Sequence, residues 1–95
     1  MKYKVGMIVR IKTMDQLITD DWFDYDSTLT KSGVETTLNE KMYQYLGKVF
    51  KIKKIDSDFG GGTDYILDIE DVHNVWHWPE CTLIPEGKIG LDLYG

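Results

Sequence analysis

Cysteine, basic charge and long apolar runs are all scarce in this chain, and each scarcity removes a class of protein. A single cysteine, Cys81, cannot close an internal disulfide, whereas small secreted domains usually depend on several. A reducing compartment is therefore expected. No apolar run approaches the roughly 18–20 residues of a membrane-crossing helix. The opening residues Met1-Lys2-Tyr3-Lys4-Val5-Gly6 lack the apolar stretch of about 7–15 residues that marks a secretory signal. The expectation is a cytoplasmic protein with no membrane partner. Lys and Arg number 11 against 16 Asp and Glu, for a net charge of −5. Phosphate-backbone binding needs clustered basic residues, so nucleic acid is not the expected partner.

What is present describes an ordinary small globular domain. The 95 residues are 42% hydrophobic and 28% charged, too short a chain to divide into two cored units. One domain over residues 1–86 is expected, with 87–95 as a tail. In Val5-Gly6-Met7-Ile8-Val9-Arg10-Ile11-Lys12, period-two alternation puts Val5, Met7, Val9 and Ile11 on one face of a first strand. Residues 48–55 form a second, with Phe50 and Ile52 inward, Lys51 and Lys53 outward, and Val49 and Ile55 out of phase. The glycines of Gly60-Gly61-Gly62 close a hairpin into a third strand, where Tyr65, Leu67 and Ile69 alternate with Ile66, Asp68 and Glu70. Asp71–Asn74 reads as a turn and Val75–Trp78 as a fourth strand. Pro79–Thr82 reads as one helical turn, and Leu83-Ile84 as a last strand. A long loop plus short helix, 14–46, separates the first two strands; Thr37 with Glu40 reads as the capping box of that helix, which Gly47 ends.

This order of elements predicts a mainly β fold, a small, partly open SH3-like barrel of four to five strands. Val5–Lys12, Met42-Tyr43-Gln44-Tyr45-Leu46-Gly47-Lys48, Tyr65-Ile66-Leu67 and Trp76-His77-Trp78 before Leu83 resemble small SH3-like proteins of bacteriophages and prophages of Gram-positive bacteria. Members of that group largely lack assigned function. The resemblance implies the fold and a mobile-element origin, and some small phage proteins antagonise host defence.

Four constellations invite chemical readings, and each has a plainer one. His73, His77 and Cys81 are spaced as zinc ligands on a helix, but Pro79 and the β-type residues between them argue for a strand. There, side chains four apart stand roughly 13 Å from each other. The plain reading is two half-exposed histidines and a small buried thiol. Asp24–Glu35 places oxygens at calcium-loop positions, but Leu29 stands where glycine is required. Gly60–Gly62 lacks the Lys-Ser or Lys-Thr of a phosphate loop. A nucleophilic Cys81 paired with His77 or His73 would need the fold to bring them together, and no oxyanion hole is evident. Neither an enzyme, a metal nor a cofactor is expected.

The stretch Thr13–Thr30 carries Asp15, Asp20, Asp21, Asp24 and Asp26 and no base, together with Trp22, Phe23 and Tyr25. Aromatics on loops of rigid scaffolds serve as binding anchors. The expected function is a protein-binding module whose partner-binding residues are Asp20, Asp21, Trp22, Phe23, Asp24, Tyr25 and Asp26. Its expected partner is a basic surface on a host protein, a defence protein being one such target. Two alternatives are a small-ligand or nucleotide groove lined by Tyr65, Trp76 and Trp78, and nucleic-acid binding through Lys48, Lys51, Lys53 and Lys54. An open strand edge also allows a homodimer.

Overall fold

A computed structural model describes residues 2–57, 62–71 and 76–86. The fold is mainly β. Eight strands are present among the described residues: β1 (Ile8–Ile11), β2 (Phe23–Tyr25), β3 (Thr28–Lys31), β4 (Val34–Asn39), β5 (Val49–Ser57), β6 (Thr63–Leu67), β7 (Trp78–Pro79) and β8 (Leu83–Pro85). They form two sheets, a five-stranded one in the order β7-β6-β5-β1-β8 and a three-stranded one in the order β2-β3-β4. All the pairings are antiparallel.

The five-stranded sheet follows the sequence pattern closely. Val9 and Ile11 are fully buried while Ile8 and Arg10 are only partly so, as period-two alternation requires. The strand starts later than expected, and Val5 is exposed. Gly6 at φ +94° turns the chain there, a conformation open to glycine without a Cβ clash. On β5 the pairing shifts between Ile52 opposite Leu67 and Lys54 opposite Ile66. This bulge changes the parity of the strand. It explains why Ile52 and Ile55, three apart, both pack on the core. Tyr65, Leu67 and Ile69 are buried on β6 and just beyond it. The expected one-turn helix is a 3-10 turn at Glu80–Thr82, joining edge strands β7 and β8. The fourth strand is shorter than expected, two residues, with Pro79 inside it. Proline is tolerated there because β7 is an edge.

The long first connection is the main correction. It holds a helix α1 (Met14–Thr19), the whole β2-β3-β4 sheet and a 3-10 helix at Glu40–Tyr45. The helix before β5 exists, but its cap is Asn39, whose side chain accepts from the Lys41 amide; Thr37 lies inside β4. The Met42 sulfur accepts from the Asn39 amide at 3.4 Å; a second capping box stands at α1, where Thr13 accepts from the Gln16 amide and the Gln16 side chain accepts from the Thr13 amide. The neck of the connection is closed by backbone bonds from Gly47 to Ile11 and from Ile11 to Lys48, 2.8 and 2.9 Å. Gly47 has φ +81°, and a Cβ there would stand 3.3 Å from the Thr13 methyl, so a side chain would be both strained and crowded.

One buried cluster runs through both sheets: Leu17, Trp22, Leu29, Leu38 and Met42 from the first connection join Val9, Ile11, Ile52, Leu67 and Trp78. Each such side chain contributes about 1.5–3 kcal/mol through removal from water. The connection is thus packed into the fold. Among the described residues no helix is long and apolar enough to cross a membrane. His73, Gly60, Gly61, Val75 and the tail from residue 87 lie outside the described residues.

Candidate functional site

The acidic aromatic segment is a hairpin on an edge. Helix α1 ends at Asp20, and the Trp22 amide donates to the Leu17 carbonyl at 3.0 Å, with Asp21 at φ +70° reversing the chain. The reversal drops the Trp22 ring into the core, 2% exposed. From there alternation sends Phe23 and Tyr25 to the opposite face, 53% and 73% exposed. Tyr25 pairs with Thr28 across the two-residue turn Asp26-Ser27, whose φ values are +55° and +61°. Two successive positive φ values define the type I′ turn that matches the twist of paired strands. Phe23 lies opposite Thr30, and Asp24 opposite buried Leu29. Among the described residues β2 pairs with β3 on one side only, and all three of its residues are exposed.

The aspartates of this segment separate into two kinds. Asp20 is engaged internally: the Lys12 ammonium lies 2.6 Å from its carboxylate, and the Lys31 ammonium donates to its backbone carbonyl. The Lys12 hydrogen bond and charge hold the Asp20 carboxyl below its ordinary range. Asp21, Asp24 and Asp26 are exposed, and among the described residues no base forms an ion pair with them. Asp24 accepts a long 3.4 Å hydrogen bond from the Tyr43 hydroxyl. Burial, and then the Asp24 charge, push the Tyr43 phenol up. Trp22 is therefore corrected from a contact residue to a core residue, while Asp20 is paired with Lys12 and keeps 41% of its side chain exposed. Phe23, Tyr25, Asp21, Asp24 and Asp26 are the exposed set.

The other candidate sites fare differently. Tyr65 and Trp78 are fully buried, so those two rings line no open groove; Trp76 is partly buried and packs on Tyr45, ring centres 5.5 Å apart. The Tyr65 hydroxyl accepts from the Tyr3 amide at 3.1 Å and donates to Glu80 at 2.6 Å. The calcium-loop residues Asp24–Glu35 are spread along β2, β3 and β4 rather than wrapped around a centre. Cys81 is exposed, not buried as expected. Desolvation still pushes its thiol up, opposite to the shift that activates a nucleophilic cysteine. His77 turns to Asp56 and Asp64, its Nδ1 3.3 and 3.9 Å from their carboxylates. Among the described residues no three His, Cys, Asp or Glu side chains are grouped to hold a metal ion. Lys48, Lys51, Lys53 and Lys54 are exposed, but Phe50 of the same strand packs against the core and Tyr45. That basic face lacks an adjoining stacking ring of its own strand.

Sequence reasoning did not single out a cleft of about 480 Å³ between β4 and the β6–β7 edge, lined by Glu35, Asp64, Glu80, Lys2 and Cys81 among others. The Thr36 hydroxyl bridges it by donating to nearly buried Asp64 at 2.6 Å. Contacts between segments this far apart in the chain leave no local signal. Comparison with family models, with curated proteins and with solved structures finds no match.

Proposed function

We propose that this chain is a non-enzymatic protein-binding module that engages a basic protein surface through the β2–β3 hairpin. The observation that carries this reading is Phe23 and Tyr25, half and three-quarters exposed on one face of an edge strand, beside aspartates with no ion-pair partner among the described residues. Large exposed aromatics cost solubility unless a partner uses them, and aromatics are enriched where binding energy concentrates. The unpaired carboxylates steer a basic partner toward them. The rigid core beneath, anchored by Trp22 and Leu29, holds the aromatics in place and lowers the ordering cost of binding. An SH3-like barrel is the finer description of the five-stranded sheet. The order β7-β6-β5-β1-β8 and the 3-10 turn joining its two edge strands support it. A host protein is the partner that the phage resemblance suggests.

The test is affinity capture on the immobilised protein from a Gram-positive bacterial lysate. A partner held by this surface is lost with Phe23→Ala/Tyr25→Ala and weakened by added salt. Recovery unchanged by the double substitution removes the hairpin from the account.

A further inference from the structure

The backbone of β2 points to a mode of binding. In an antiparallel pair, residues alternate between those whose N–H and C=O bond the neighbouring strand and those whose groups point away. A two-residue turn makes Tyr25 and Thr28 a hydrogen-bonded pair, and by alternation Phe23 and Thr30 the next. Asp24, between them, turns its N–H and C=O to the free edge. No element pairs with that edge among the described residues, and all three β2 residues are exposed.

We infer that the β2 edge accepts an extended basic segment of a partner protein as an added strand. This rests on the protein-binding reading above and specifies its mode. Main-chain hydrogen bonds to Asp24 supply register, as in other strand additions. Side chains on one face of the added strand lie beside Phe23 and Tyr25, and those on the other lie beside Asp24. An alternating apolar and basic segment is therefore the complementary one. Charge selects against the obvious competitor, a second copy of this chain. Pairing β2 with itself brings Asp21, Asp24 and Asp26 of both copies together without a base, and like charges across a strand pair are destabilising. The same acids attract a lysine-bearing strand.

The probe is an acetylated eight-residue peptide of alternating lysine and valine, titrated onto the full chain and followed by amide chemical shifts and by hydrogen exchange at Asp24. Saturable binding with slowed exchange of the Asp24 amide is expected. Asp24→Pro removes the outward N–H while sparing the β2–β3 bonds; Asp24→Ala removes the carboxylate, with its long Tyr43 hydrogen bond, and keeps the N–H. Loss of one main-chain hydrogen bond should make Asp24→Pro about tenfold weaker than Asp24→Ala. Should Asp24→Pro fail to fold, the unaltered protein with a peptide N-methylated at alternate amides gives the same comparison. Equal binding of plain and N-methylated peptides overturns strand addition while leaving the aromatic surface a binding site. So does absence of peptide binding at millimolar concentration when partner capture through Phe23 and Tyr25 persists. Concentration-dependent dimerisation abolished by Asp24→Pro overturns it in favour of a second copy.

Discussion

Trp22 and Phe23 are adjacent in sequence, yet truncating them should have effects of different kinds. Trp22 is 2% exposed and sits in the cluster that joins the first connection to the main core. Trp22→Ala removes a whole indole and leaves a cavity, which costs about 3–5 kcal/mol. Against a total stability of roughly 5–15 kcal/mol for a domain of this kind, that loss leaves a marginal protein. Phe23→Ala and Tyr25→Ala remove side chains already largely in water and should each cost about 0.5 kcal/mol or less. The buried Trp22 Nε1–H has no hydrogen-bond partner among the described residues, which adds a second expectation. Trp22→Phe gives up about 1 kcal/mol of packing but removes a desolvated donor whose burial costs roughly 1–3 kcal/mol. Its stability should therefore lie within about 1 kcal/mol of the unaltered protein. Urea unfolding followed by circular dichroism measures all four variants on one scale. Equal losses for Trp22→Ala and Phe23→Ala would refute the assignment of the two rings to opposite faces. Equal losses for Trp22→Phe and Trp22→Ala would refute the unpaired indole.

Two further outcomes follow from the geometry. Burial works to raise the Glu80 carboxyl, but hydrogen bonds from the Tyr65 hydroxyl and the Lys2 amide outweigh it and hold its pKa below the ordinary glutamate range. A depressed folded pKa contributes stability above the unfolded value that is lost as pH falls through the folded one. Tyr65→Phe should therefore cost about 1–2 kcal/mol at neutral pH and flatten the decline on the acid side, as read from unfolding midpoints across an acidic pH series. An unchanged acid limb would contradict the Glu80 hydrogen bond. At the hairpin tip, Ser27 at φ +61° occupies a conformation glycine adopts without cost, so Ser27→Gly should stabilise by about 0.5–1 kcal/mol. A loss of stability in the same urea assay would contradict the type I′ turn.

The main sheet was legible because β1, β5 and β6 alternate cleanly over several residues, and β-branched and aromatic side chains fill their inner faces. The bulge at Lys53 was visible only as the phase error at Ile55. The first connection was harder to read. Phe23-Asp24-Tyr25 is exposed throughout and only three residues long, so its aromatic–acid–aromatic alternation is too brief to mark a strand among the flanking aspartates. The turn Asp26-Ser27 lacks the glycine that usually announces such a hairpin. A signal for α1 is present in Thr13-Met14-Asp15-Gln16, a capping-box sequence of the same form as Thr37 with Glu40. Acidity and aromaticity located the candidate surface to within a few residues. Which ring faces water depended on the reversal at Asp21, a backbone feature that leaves no mark in composition. Likewise, the engagement of Asp20 by Lys12 and Lys31 arises only once α1 packs beside β1 and β3.

The claim that the hairpin is a contact surface is tested most directly by photocrosslinking in a Gram-positive bacterial cell, the setting of the proposed function. A benzophenone amino acid placed at Tyr25, with Lys53 on the lysine-rich strand as control, reports which face meets a partner. The account predicts a discrete protein adduct from position 25, diminished by Phe23→Ala, and none from position 53. Adducts from position 53 alone, or from neither position, would contradict it.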